Sequence, residues 1–537
     1  MSGESPHPTL EEARDRLRRL GYLQGGVARF VFGRAMADAS GLVLAILFAG
    51  AIALALAETA AVASTQFRYE ESPRAVVFLF LELTVVALLP AGLFAAGVAV
   101  AAARSRRPGR DGTALALLAA GGVLAVWLVG TWRLVGGSAL RPDPSSFLWG
   151  IPVTAAALLA GVTTRTAFLA RTFARSGLLP DRPRRAILLV AAAVALSIAA
   201  IVLATRREPV RTATPLPSPR KIPVVVVGID GLALDTLHEA GENAISGLLS
   251  RGTIGWWPAR LASPAEIWTD LATGVPAARH GVRALEWVRP WGLPALRPPF
   301  GTAWYFRGVG LAAGSVSRAP VSAWERKTPA FWEVAASAGI PSLAVGWWAS
   351  GPWPGADVVE NREVLARAAS GLDVDAVAIA EFEKRFRGRS VAAVYLPGAD
   401  ILREDPARRR AALARLWLVL DRLIVRARNG EFVLAVIAAD SHPSRVSRGR
   451  FFVFDGRSPG RSTRIEPFDV APSVLARAGI PAARDLAGRP AGSLFASGSL
   501  ETTTVASYGD RVAPPLPARR DTDREYLEKL KSLGYLN

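Results

Sequence analysis

Residues 224–231 read Val-Val-Val-Val-Gly-Ile-Asp-Gly, a run of β-branched and apolar side chains that stops on a carboxylate. Polar residues do not alternate with the valines, so a strand built from them must bury both faces, as a central strand of a parallel sheet does. Parallel strands bring their C-terminal ends to one edge of the sheet, where α/β proteins assemble their sites. Asp230 is therefore a candidate site residue. The same pattern also fits an N-cap aspartate for a helix beginning near Leu232.

The rest of the chain adds a second constraint. It has 537 residues, 51% of them hydrophobic, and a mean hydropathy of +0.26. Five apolar runs, about Ser40 to Ala63, Ala75 to Ala103, Thr113 to Val135, Phe147 to Thr163 and Ala186 to Ala204, approach the roughly 20 residues of a bilayer crossing. They predict an all-α transmembrane bundle over residues 39–205, preceded by a cytoplasmic amphipathic segment over 1–38. No short apolar region with a small-residue cleavage site comes before them, so no removable signal peptide is expected. Arginines cluster before the first run (Arg14 to Arg34), in the second loop (Arg104 to Arg110) and in the fourth (Arg165 to Arg185). The positive-inside rule then gives a multi-pass protein of the inner or plasma membrane, with a cytoplasmic N-terminus and an extracytoplasmic C-terminal domain.

That layout also accounts for the charge. The net charge is +19, and residues 1–221 hold 25 basic and 13 acidic side chains, so 12 of the excess positive charges flank the apolar runs. A nucleic-acid partner is not expected. Three ionisable residues within the runs, Glu58, Glu82 and Arg133, read as a structural ion pair or as a lipid-headgroup site, which makes membrane lipids expected partners. The chain has no cysteine, which excludes thiolate ligands and a cysteine nucleophile.

A Pro-rich linker, 206–223, leads into a soluble domain over 224–495 and a C-terminal tail over 496–537. Strand-like runs at 224–229, 342–345, 391–396, 432–438 and 451–454 alternate with helical ones such as Ala407 to Arg428. This predicts an α/β domain, a mostly parallel sheet between helix layers.

Several motifs in this domain carry a resemblance. Gly228-Ile-Asp-Gly231 opens it. Ser263-Pro-Ala-Glu-Ile-Trp-Thr-Asp-Leu-Ala-Thr-Gly274 leads to Arg279-His-Gly281. Tyr395-Leu-Pro-Gly-Ala-Asp400 and Ala439-Asp-Ser-His442 follow. In this order they resemble the type I phosphodiesterase/nucleotide pyrophosphatase branch of the alkaline phosphatase superfamily over roughly residues 222–492. The resemblance implies an alkaline-phosphatase-like fold and one or two divalent ions, zinc or manganese, that polarise a phosphoryl group for attack by a metal-bound hydroxyl. Carried over, Asp230, Ser263, Asp440 and His442 correspond to one ligand set with Ser263 as nucleophile, and Asp400 and Glu404 to the second. Glu404 stands where the family has histidine, Ser441 separates an Asp-His pair that the family keeps adjacent, and a further family histidine has no counterpart.

Each of these residues has a plainer reading. Ser263 before Pro264 fits a helix N-cap, Glu404 a helix-start carboxylate, and His442 a loop histidine. His280 reads as a packing residue behind the helix after Ser263, and Trp347 and Trp348 as core and rim. Function then divides two ways. One is a metal-dependent phosphodiesterase or phosphotransferase acting on an envelope-associated phosphoester; the other is a catalytically inactive relative serving as a binding or assembly module. A repeat, Leu20-Gly-Tyr-Leu23 and Leu533-Gly-Tyr-Leu536, ends two charged amphipathic segments and has no functional reading from sequence.

Overall fold

The computed structural model describes residues 211–216, 223–232, 240–260, 262–290, 310–441, 447–455, 462–496, 500–501, 503–511 and 520–535, with Ala55, Thr59 and Leu81–Thr84 from the N-terminal part. The chain divides into two compact units, one holding most of residues 1–207 and the other Glu208–Pro298 and Val309–Asn537. In the first, the Thr59 hydroxyl donates to the Ala55 carbonyl at 2.6 Å, one helical turn back.

Among the described residues no helix is long and apolar enough to cross a membrane. This overturns the expected five-span bundle and, with it, the multi-pass membrane placement. Hydropathy counts apolar residues over a window, and Ala- and Gly-rich runs satisfy that count without having to form one continuous apolar helix. Apart from the few residues named above, the five runs, and Glu58 and Arg133 within them, lie outside the described residues.

The second unit is built on an eight-stranded sheet. In chain order its first half comprises β1 (Val224–Asp230), α1 (Ala240–Leu249), β2 (Thr253–Arg260), α2 (Pro264–Thr273), the hairpin β3 (Glu286–Pro290) and β4 (Val316–Pro320), α3 (Phe331–Ser337), β5 (Ser342–Val345) and β6 (Ala356–Val359). There follow α4 (Val374–Phe386), β7 (Val391–Leu396), α5 (Gly398–Ile401), α6 (Pro406–Arg428), β8 (Val433–Asp440), β9 (Ser447–Phe454), β10 (Ser462–Arg464), α7 (Val470–Arg477) and, near the C-terminus, α8 (Arg520–Ser532). The strand order is β10-β2-β9-β8-β1-β7-β5-β6. Only β9 runs antiparallel to its neighbours, so the mostly parallel sheet expected from the strand pattern is present.

Every residue of β1, β7 and β8 is buried. Helices must therefore cover both faces, which is why these strands carry valine, alanine and isoleucine without alternation. One helix group joins α1 with α6, another α2 and α3 with α7. Contact of α2 with β1 is close enough that a Cβ on Gly228 would stand 2.6 Å from the Trp268 ring. Beneath that point Trp268, Trp347, Tyr395, Phe331 and Trp332 form an aromatic cluster with mostly edge-to-face contacts. Trp347 and Trp348 are both buried.

Two polar ties hold the periphery. Arg326 and Arg511, both buried, share the buried carboxylate of Glu333 at 2.6–3.0 Å, and Arg511 also donates to the Ala323 carbonyl. The first half of the Pro-rich segment pairs with the C-terminal part: Thr214 donates its amide to Ser507 and Asp510 donates its own to Arg211.

Candidate functional site

Strands β1 and β8 are adjacent and parallel, with Asp230 paired to Ala439. Their C-terminal ends therefore place Asp230 and Asp440 at one edge of the sheet. Strand β7, on the other side of β1, ends at Leu396, and α5 carries Asp400 to the same edge. Gly231 has φ +84°, and a Cβ there would lie 2.3 Å from the Asp400 amide nitrogen. The Asp-Gly pair is thus required twice over, for a left-handed turn and for close approach of the two loops. Arg409, near the start of α6, is buried and donates to the carbonyls of Gly231 and Ala399, which fixes both loops to one helix.

Asp230 is fully buried and its carboxylate is saturated by neutral donors. One oxygen accepts from the amides of Gly231 (2.9 Å) and Ser441 (3.0 Å). The other accepts from Trp268 Nε1 (2.8 Å), the Tyr395 hydroxyl (2.8 Å) and the Ser441 hydroxyl. Burial, followed by the nearby charge of Asp400, raises its pKa to about 7 against the lowering pull of the Ser441, Tyr395 and Trp268 hydrogen bonds. Trp348 Nε1 donates in turn to Tyr395 at 3.0 Å and holds the phenol in place.

Asp400 and Asp440 have a different partner. The guanidinium of Arg403 lies between them, with Nη2 2.9 Å from Asp400 Oδ1 and also bonded to Asp440 Oδ1. Nε and Nη1 add longer contacts, 3.3 Å to Asp400 and 3.4 Å to Asp440. Burial would lower the Arg403 pKa, but the charges of Asp440 and Asp400 outweigh it and hold the guanidinium more firmly protonated. Side-chain exposure is 12% for Arg403, 1% for Asp400 and 8% for Asp440, so the ion pairs are largely withdrawn from water.

These donors do not fit the divalent ions that the motifs imply. A ligand carboxylate needs a lone pair aimed at the metal, whereas both Asp230 oxygens are engaged by protein donors and Arg403 places a fixed positive charge between the other two aspartates. Among the described residues no group of three or more His, Asp or Glu side chains is arranged to hold a metal. Ser263 acts as the N-cap of α2, accepting from the Glu266 amide at 3.1 Å and donating to the Arg283 carbonyl at 3.1 Å. Glu404 is exposed. His442 lies outside the described residues. The structure thus brings together Asp230, Asp400 and Asp440, uses Ser263 as a helix cap and leaves Glu404 at the surface.

His280 is buried, with Nε2 2.8 Å from Asp270 of α2 and Nδ1 accepting from the Val282 amide, so it braces the helix behind Ser263. Sequence reasoning passed over four residues. Ser441, read as an insertion between Asp440 and His442, is the hydroxyl that reaches Asp230. Tyr395 was visible in its motif without a role. Arg403, three residues after Asp400 on a helical turn, carried no signal beyond that spacing. Tyr535, in the C-terminal repeat, is buried beside Asp400, Asp230 and Tyr395.

No family model matches the chain, and no curated protein does. Solved structures match in part. Murine and human ectonucleotide pyrophosphatase/phosphodiesterase 5 are each 16% identical, with a TM-score of 0.28, over 41% of this chain and 57% of theirs. Phosphonoacetate hydrolase from Sinorhizobium meliloti, in complex with phosphonoacetate, is 14% identical with a TM-score of 0.28, over 43% of this chain and 60% of that one. The first two bear the name of the branch that the motifs resemble. The chain spans less than two thirds of each, and a likeness this distant carries no argument about activity.

Proposed function

We propose that the domain over residues 224–495 is an alkaline-phosphatase-like module that works without metal, as a binding or assembly unit, and that Arg403 serves as its resident cation. The observation that supports this most directly is the guanidinium bridge from Arg403 to Asp400 and Asp440. Three carboxylates converging at a sheet edge repel one another unless a cation intervenes. An arginine supplies that charge at every metal concentration, with donors in a fixed fork suited to two carboxylates. It supplies neither an open coordination position nor an activated oxygen, so metal-assisted phosphoryl transfer has no starting point at this edge.

A second reading, a metal-dependent phosphodiesterase or phosphotransferase, draws on one observation. Asp230 and Asp440 end two neighbouring parallel strands and Asp400 lies on the short helix that follows a third, at the sheet edge where α/β enzymes gather their ligands. One experiment separates the two. The full chain is titrated calorimetrically with zinc and with manganese, and assayed on bis(p-nitrophenyl) phosphate beside an Asp440→Asn variant. The metal-free reading expects no saturable heat and no turnover above the variant. One or two equivalents of bound ion, lost together with turnover in Asp440→Asn, would overturn it.

A further inference from the structure

The C-terminal repeat is the sequence motif that neither functional reading absorbs, and the structure places its tyrosine at the site. Helix α8 is mainly charged and polar, with Arg524, Glu525 and Glu528 exposed. It is held to the domain by polar ties and by the buried side chains of Tyr526, Leu527 and Leu530. Asp523 accepts from Arg289 (2.9 Å) and Arg362 (3.2 Å). The Tyr526 hydroxyl donates to Asn361 at 2.8 Å, Lys529 donates to the Ala368 carbonyl at 3.1 Å, and Leu530 is fully buried. The helix then stops at Gly534, whose φ of +82° turns the chain so that the Tyr535 amide bonds back to the Leu530 carbonyl at 3.0 Å.

This turn aims Tyr535 inward. Its ring packs edge-on against Trp348, centroids 5.7 Å apart, and its buried hydroxyl interacts with Asp400 and Tyr395. A phenol that gives up water to lie against a carboxylate and a second phenol is tied to that place by polar as well as apolar contact. It lies where Trp348, Tyr395 and Asp230 are already linked in sequence by hydrogen bonds.

We propose that residues 520–535 form a strap whose Tyr535 plugs the carboxylate site, and that release of the strap is what opens that site to a ligand. Helix α8 docks through the face that carries Tyr526, Leu527 and Leu530 and exposes the other, and its release would break side-chain contacts but no strand pairing, whereas β1, β7 and β8 are locked into the buried sheet. The inference rests on the aspartate cluster being the site and holds under either functional reading above.

The absence of cysteine makes a direct test possible, since Ser441→Cys introduces a single reporter thiol next to Asp230. In the full chain, maleimide labelling of this thiol should be slow, and at least about tenfold faster when Tyr535→Ala or Asp523→Ala is added. Hydrogen exchange of otherwise unaltered chains carrying Tyr535→Ala or Asp523→Ala should show the same acceleration at the Gly231 and Ser441 amides, with β9 unchanged. Exchange that is fast in α8 while the reporter stays slow would overturn the proposal, because the strap would then leave without opening the site. Acceleration spread evenly over the whole sheet would overturn it too, because α8 would then open only together with the sheet.

Discussion

Replacing Arg403 with alanine tests the idea that a side chain does the work of an ion. The substitution leaves Asp400 and Asp440, both largely buried, without their shared guanidinium. Removing one partner of a buried ion pair costs about 3–5 kcal/mol, and the 12% exposure of Arg403 places this case near the lower end, about 3 kcal/mol. For a domain of this size that corresponds to a fall in Tm of roughly 6–12 °C. The vacated space lies between two carboxylates with Asp230 close by, so the variant should gain affinity for zinc. At a zinc concentration 100 times Kd, binding to the folded state restores about 2.7 kcal/mol, nearly the whole loss. Calorimetric unfolding of wild-type and Arg403→Ala chains, each with and without zinc, reads both effects, and plasma mass spectrometry counts the bound metal. An Arg403→Ala chain that melts with the wild type, or a wild-type chain stabilised by zinc as much as the variant, would show that Arg403 is a bystander.

Other perturbations address the surrounding framework. Gly228→Ala puts a methyl group 2.6 Å from the Trp268 ring and should cost about 1–3 kcal/mol in chemical denaturation, with a shift in tryptophan fluorescence as the indole leaves Asp230. Ser441→Ala removes one donor from a buried carboxylate and should cost about 1–3 kcal/mol by the same measurement, with no effect on α8. Burial raises the pKa of Glu333, but Arg326 and Arg511 outweigh it and hold it below its ordinary value. Its contribution to stability is therefore present above the unfolded-state pKa and is lost as pH falls through the folded one. Glu333→Gln should flatten the acid limb of a stability–pH curve and lower the plateau.

The sheet was legible because its strands are of a kind that only one environment tolerates. Val224–Ile229 and Val433–Ala439 leave no polar face, so their place at the centre of a parallel sheet, and the delivery of Asp230 and Asp440 to its edge, followed from burial alone. The chemistry at that edge was less legible. Whether Asp400 faces a metal or a guanidinium depends on the fold-back of one side chain, and the Asp400–Arg403 spacing is the same i, i+3 spacing that surface ion pairs use. Ser441, just past β8, and Tyr395 of β7 reach Asp230 across separations of 211 and 165 residues, contacts that no local pattern encodes. Ser263 shows the opposite problem, since Ser-Pro before a helix is a strong N-cap signal and the cap is what formed. The apolar N-terminal runs misled because length and hydropathy are necessary for a crossing helix but do not specify one.

If Arg403 stands in for an ion as proposed, one guanidinium is an incomplete substitute, and the residue that would bear the deficit is Asp230. Arg403 contributes one positive charge and spends it on Asp400 and Asp440, while Asp230 has only neutral donors in direct contact. Burial and the neighbouring Asp400 charge then raise its pKa from 3.8 to about 7. For a carboxyl raised in this way the folded state holds the proton longer than the unfolded one, so stability falls as pH rises from about 4 to 7 and is level above. The span of about three pKa units sets an upper bound of about 4 kcal/mol on that fall. Asp400→Asn removes the like charge without removing the burial, so it should move the Asp230 pKa downward and shorten the falling limb from its upper end. Urea midpoints measured from pH 4 to pH 8, with the infrared band of a protonated carboxyl followed in parallel, would resolve this. If Asp400→Asn leaves both the slope and the band where they are in the wild type, burial alone holds the proton on Asp230, and the deficit left by a one-charge substitute for an ion is not what the site feels.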